Sequence, residues 1–257
     1  MARWTPFPFS GEYRFDAPSL SRAWPTLHAG DAEALPRNPA VLQAWVLFHQ
    51  GDFEAAWQAG LDAGPAGVTV ANKACAVYAT HLEPREKTRL ELYQQVAARA
   101  EAQALADATN PNAWYWYAYA LGRYSQCVSV ARALAQGLGI KVKDALERTV
   151  ALEPRHADAH IALGTFHAEV IDKVGELIGA MTYRASKEKG MLMLREGLRL
   201  NPGSAIAMIE CANSMLMLMG EAAAVEASRL YERAAACDAV DALERLNIER
   251  ARLELQD

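Results

Sequence analysis

The sequence is short of most features that mark a catalytic, membrane or nucleic-acid-binding protein. Its 257 residues hold four cysteines, Cys75, Cys127, Cys211 and Cys237, spread far apart. They have neither the CxxC spacing of a zinc site nor the density of a disulfide framework. Valine and isoleucine are few beside alanine and leucine, and aromatics make up 8% of the chain, so strand formers are scarce. No window of about 18 apolar residues is free of charge, so no spanning helix is expected. The N-terminal stretch lacks the uninterrupted apolar run of a secretory leader. Basic residues do not dominate: 26 Lys and Arg stand against 31 Asp and Glu, a formal charge of −5. That balance opposes broad attraction to nucleic-acid phosphates or anionic headgroups. There is no Gly-x-Ser-x-Gly elbow, no Cys spaced beside a His, and no phosphate loop; Gly137-Leu138-Gly139 is too short for one and reads as a helix end. The absences together predict a cytoplasmic non-enzyme with no cofactor and no nucleic-acid partner.

What remains is helix. The chain is 52% hydrophobic and 22% charged, the balance of a folded globular protein. From Asn38 onward, short punctuators such as Gln50-Gly51-Asp52, Gly64-Pro65, Glu83-Pro84, Asn110-Pro111, Glu153-Pro154 and Asn201-Pro202 separate apolar-rich helical stretches. The first 36 residues differ, because Trp4, Phe7, Phe9, Tyr13, Phe15 and Trp24 are set among Pro6, Pro8, Pro18, Pro25 and Pro36. Proline at that frequency breaks long helices. Asp16 as N-cap and Pro18 in a first turn still predict a short helix to about His28, with an extended arm before it. The predicted organisation is an arm over residues 1–36 and a helical repeat domain over 37–257.

Three punctuators share one form, a polar residue then Pro at the end of a helix, at Pro111, Pro154 and Pro202. Aligned on them, Leu121-Gly122, Leu163-Gly164 and Cys211-Ala212 fall about one helix downstream. The second helix of each unit then carries Val142, Leu146 and Thr149, or Gly190, Leu194 and Gly197, or Ala227, Tyr231 and Ala234. Small residues recur where two helices must touch. This resembles the tetratricopeptide signature, carried best by His160-Ile161-Ala162-Leu163-Gly164-Thr165-Phe166-His167. The implied fold class is an all-α, tetratricopeptide-like right-handed solenoid of about five or six helical hairpins, closed by a capping helix from Asp241 to about Leu255. The repeats are long: Pro111 to Pro154 is 43 residues and Pro154 to Pro202 is 48, against a standard period of about 34. The excess falls at Val128–Gly139 and Ile171–Ser186, and insertions in such repeats map to one face, often the binding face.

The inserts and their flanks, Gly139-Ile140-Lys141-Val142-Lys143, Leu146 to Pro154, His160 to Gly164, Ile178-Gly179-Ala180 and Ala185-Ser186, resemble the helical domain of the regulator of microtubule dynamics family over about Asn110 to Met219. The resemblance implies a cytoplasmic helical adaptor; some relatives are associated with microtubules or with lipid handling at membrane contacts. This chain lacks a strong basic tract.

Candidate binding residues follow from chemistry. Trp114, Tyr115, Trp116, Tyr117, Tyr119 and Tyr124 spread rings around one helix, so core packing accounts for part of the cluster and the rest is recognition-type surface. Lys173, Arg184 and Lys187, with Asp172 and Lys189, form a mixed-charge segment at the second insert, either a solvated face or a site for an acidic tail. Asn213, with Asn72 and Lys73, is a candidate for clamping a C-terminal carboxylate, but the three do not recur in register, which disfavours a clamp. His156, His160 and His167 lie at helical spacing, and burial in the repeat core is the plainer reading than metal ligation. Met181, Met191, Met193, Met208, Met215, Met217 and Met219 are either helix–helix core or an adaptable apolar pocket. The expected role is binding of a protein or peptide partner in a concave groove, with a lipid or other apolar ligand as the alternative. The aromatic arm is itself a candidate occupant of that groove.

Overall fold

A computed structural model describes residues 4–255. Among these residues all regular structure is helical, in two compact units. Unit 1 comprises residues 4–28, 33–145 and 240–243, and unit 2 comprises 29–32, 146–239 and 244–255.

Unit 1 begins where the sequence predicts. Helix α1 (Ala17–Leu27) is opened by a capping box: the Ser19 N–H donates to the Asp16 carboxylate at 2.8 Å, and the Asp16 N–H donates to the Ser19 hydroxyl at 2.9 Å. Helix α2 (Pro39–Gln50) is capped by Asn38, which accepts from the Ala40 N–H at 2.9 Å. It ends at Gly51 with φ +91°, a left-handed C-cap; a Cβ there would also lie 2.4 Å from the Phe7 ring. There follow α3 (Phe53–Asp62), a 3-10 turn (Gly64–Gly67), α4 (Val68–His81), α5 (Glu86–Ala106), α6 (Pro111–Gln126), α7 (Val130–Ala135) and α8 (Leu138–Leu152), whose residues 146–152 belong to unit 2. From α2 to α6 each helix packs on the next. Helix α4 is central: every residue from Thr69 to Ala79 is buried, so its small residues face neighbours all round.

The N-terminal segment is non-helical, with a turn over residues 8–12, but it is part of this core. Trp4 is 8% exposed and stacks on Tyr78, ring centroids 4.1 Å apart, and on Trp57 at 5.3 Å. Phe7 packs edge-on against Phe53. The arm thus covers α3 and α4.

Unit 2 holds α9 (Ala157–Val174), α10 (Glu176–Tyr183), α11 (Lys187–Leu200), α12 (Ala205–Met219), a 3-10 turn (Gly220–Ala223), α13 (Ala224–Ala235) and all but the first two residues of α14 (Ala242–Glu254). His156, Ser186 and Ser204 accept the first-turn N–H groups of α9, α11 and α12. The repeat glycines set the α9–α11 distance. A Cβ on Gly164 would stand 2.6 Å from Leu194 and 3.0 Å from the Gly190 carbonyl, and one on Gly197 would stand 2.6 Å from Ile161. Ile161, Leu194, Ile209, Ala212, Leu230 and Ile248 fill the space these contacts enclose. Both long inserts fold as short helices, α7 and α10, instead of open loops. Residues 205–235 are together long and apolar enough to cross a membrane, the most apolar window having mean hydropathy 1.2. The 3-10 turn at Gly220 interrupts that stretch, however, and 44% of its most apolar window is buried within the fold.

Candidate functional site

The six aromatic candidates of α6 divide evenly by burial. Tyr115, Trp116 and Tyr124 are buried, while Trp114, Tyr117 and Tyr119 are half-buried. The half-buried three have partners inside unit 1: the Trp114 indole N–H donates to the Ala108 carbonyl at 3.1 Å, the Tyr117 hydroxyl donates to Glu101 at 3.3 Å, and the Tyr119 hydroxyl meets that of Thr80 at 2.9 Å. Burial, helped by the Glu101 charge, pushes the Tyr117 hydroxyl up to about 12. Rings surround α6 because their edges close the packing against α5 and against one another.

The remaining candidates lie in unit 2. Lys173, Arg184 and Lys187 flank α10: Lys173 pairs with Glu169 at 3.1 Å, Lys187 pairs with Glu176 at 3.3 Å, and Arg184 is the exposed C-cap of α10 with φ +54°. Asn213, on α12, accepts a hydrogen bond from the Tyr231 hydroxyl of α13. The structure therefore places three of the four around one insert and Asn213 in a helix–helix contact.

Between α11 and the end of α12 lies an open pocket of about 510 Å³. Met191, Leu192, Leu218 and Met219 provide its apolar lining. Lys187, Glu188 and Arg195 provide its charged edge. The methionines serve both expected purposes: Met208 is core, Met191 bridges core and pocket, and Met219 is 47% exposed at the pocket. Helix α10 adds an apolar face to solvent, with Leu177 74%, Ile178 56% and Met181 79% exposed. Sequence reasoning located this insert and its glycines but not the helix within it, nor Leu177 and Leu192 as surface residues. Glu188 accepts from the Ser186 hydroxyl at 2.7 Å, which holds its carboxyl below the usual carboxylate range. Arg184, Lys189 and Arg195 make no ion pair with a carboxylate among the described residues.

The histidines of α9 are structural in position. His156 is fully buried and its Nδ1 accepts the Ala159 N–H at 3.1 Å; the His160 Nε2–H donates to the Pro154 carbonyl at 3.0 Å; His167 is buried edge-on to Phe166. Among the described residues, no group of three or more His, Cys, Asp or Glu is placed to hold a metal ion. A buried chain in unit 1 escaped the sequence reading: His49 Nδ1 lies 2.6 Å from Asp241 and its Nε2 lies 3.2 Å from His28 Nε2, inside a box of Trp24, Trp45 and Phe48.

The family model for Regulator of microtubule dynamics protein 1-3 matches residues 67–175. That match starts earlier than the repeat pattern suggested and stops before α10, so the pocket lies outside it. A crystal structure of a thermophilic tetratricopeptide protein from Thermus thermophilus matches with a TM-score of 0.57 and 16% identity, covering 83% of this chain and 97% of that one. The likeness shows the fold to be tetratricopeptide-like. No curated protein matches the chain.

Proposed function

We propose that the protein is a non-catalytic helical-repeat adaptor that holds a segment of a partner protein against the corner of unit 2 formed by α10, α11 and α12. The observation that carries this is the open pocket lined by Met191, Leu192, Leu218 and Met219, whose edge residue Lys187 pairs with Glu176 of α10, the helix that exposes Leu177, Ile178 and Met181. Methionine and leucine at a surface adapt to differing side chains, and helical-repeat folds present such faces to extended or helical partners. The likeness to the regulator of microtubule dynamics family favours an adaptor, although that match ends at residue 175 and a cytoskeletal partner does not follow from it for this pocket.

A carrier of lipid or another apolar small molecule needs an enclosed, uncharged cavity. This pocket is open and edged by Lys187, Glu188 and Arg195, which favours a peptide segment. The test is photocrosslinking in the native host, with a benzoylphenylalanine placed at Leu192, at Met219, or at Leu105 as an exposed control on unit 1. Protein adducts at positions 192 and 219 but not at 105 are expected. Adducts of lipid mass at 192 and 219, or equal protein labelling at all three positions, would overturn the assignment.

A further inference from the structure

The charge around the pocket is opposite in sign to that of the chain. Between Arg184 and Arg195 stand four bases, Arg184, Lys187, Lys189 and Arg195, against the single acid Glu188, in a protein whose acids outnumber its bases 31 to 26. The acid is already engaged by Ser186, and Arg184, Lys189 and Arg195 lack a carboxylate partner among the described residues; Lys187 pairs with Glu176 at 3.3 Å, an exposed ion pair that a partner carboxylate displaces at little cost. The placement is ordered as well. Lys187, Met191 and Arg195 follow one ridge of α11 at intervals of four, so the two bases bracket the apolar floor about 12 Å apart, two helical turns. Leu192 on the neighbouring ridge is 61% exposed, while Leu218 below is 4% exposed, giving a floor recessed beneath a rim.

From this geometry we infer that the partner segment is an acidic amphipathic helix lying along the α11–α12 groove: an apolar stripe sits on Met191, Leu192, Leu218 and Met219, and carboxylates about two turns apart meet Lys187 and Arg195. The inference rests on the adaptor reading above and specifies the class of its partner. Charge complementarity selects the sign, since a lysine-rich helix would face Lys187 and Arg195. Concavity selects a helix over a membrane, because a flat bilayer does not reach a recessed Leu218 whereas protruding side chains do.

The test uses dye-labelled helical peptides of about four turns and the full-length protein, read by fluorescence anisotropy. One peptide carries leucines on one face flanked by glutamates; a second replaces each glutamate with lysine; a third replaces them with glutamine. The acidic peptide is expected to bind at micromolar concentration and at least about tenfold more tightly than the lysine peptide. Arg195→Glu should weaken the acidic peptide about tenfold and strengthen the lysine peptide, and Leu192→Glu should abolish both. Leu192 and Arg195 are exposed, so unchanged thermal melts establish that the variants are folded. If the lysine or glutamine peptide binds as well as the acidic one and Leu192→Glu still abolishes binding, the acidic class is wrong and the adaptor reading stands. Both fail if no peptide binds up to about 1 mM, whether the protein instead sediments with phosphatidylcholine–phosphatidylserine vesicles through Leu177 and Met181, forms a dimer that Leu192→Glu dissociates, or does neither.

Discussion

Glu83 has its carboxylate surrounded by donors. It accepts from the Arg85 guanidinium at 2.9 and 3.1 Å, the Arg85 N–H at 2.9 Å and the Tyr78 hydroxyl at 2.9 Å. The Arg85 side chain is the main cause that lowers its pKa from 4.5 to about 2. A carboxyl depressed on folding adds stability that is fully present above its unfolded pKa and disappears as pH falls through the folded one. Resistance to urea should therefore fall as pH drops from about 4.5 to about 2, and Glu83→Gln should flatten that slope; an equally steep slope in the variant would remove Glu83 from the account. The same Tyr78 hydroxyl accepts the Thr5 N–H at 3.3 Å, and Trp4 stacks on its ring, so the arm is anchored to α4. Trp4→Ala should cost about 3 kcal/mol by chemical denaturation. A loss under about 1 kcal/mol would mean the arm is a loose appendage. In the sequence, Glu83 was legible only as part of a Glu-Pro punctuator, and Trp4 only as an aromatic among prolines. The chain His28–His49–Asp241 was not legible at all, because its partners are up to 192 residues apart and no local pattern links them.

At the scale of elements, helix starts and stops were legible because their causes are local: Asp16 before Pro18, Asn38 before Pro39, Asn110 before Pro111, Gly51 after α2. Gly164, Gly190 and Gly197 were legible too, as small residues at similar offsets from each proline, and the close approach of α9 to α11 is their physical reason; Gly122, expected to mark a like contact, has open space where its Cβ would be. Gly197→Val would push a branched side chain into Ile161, 2.6 Å from where its Cβ would sit. Overpacking of this kind costs about 1–3 kcal/mol and should lower the melting temperature by several degrees. Leu177→Glu on α10 is the contrasting case: with 74% of Leu177 exposed, calorimetry should show a melt within about a degree of wild type. The folding of the inserts into α7 and α10 was not legible, since helices of six and eight residues are too short to show a hydrophobic period. Their surface role depends on what they are packed against, which periodicity does not record.

For the whole molecule, composition pointed to the class, all-helical with few strand formers, but could not show where the charges gather, and it is the local excess of bases on α11 that defines the candidate site. Composition also left the four thiols as scattered small side chains, whereas the fold makes two of them reporters. Cys75 on α4 of unit 1 and Cys211 on α12 of unit 2 are both buried and free. Burial raises the Cys75 thiol, and burial with the Glu226 charge pushes Cys211 up to about 11, so neither is thiolate at neutral pH while its unit is closed. Cys127 and Cys237 are half-exposed. Pulsed alkylation followed by peptide mass spectrometry should modify Cys127 and Cys237 first, and Cys75 and Cys211 only as their units open. Helical repeats gain most of their stability from nearest neighbours, so damage should register close to where it is made. Trp4→Ala should then speed labelling of Cys75 far more than that of Cys211, and Gly197→Val the reverse. Equal acceleration of both thiols by either substitution would mean that the two units open as one cooperative body, and the nearest-neighbour account would not hold for this chain.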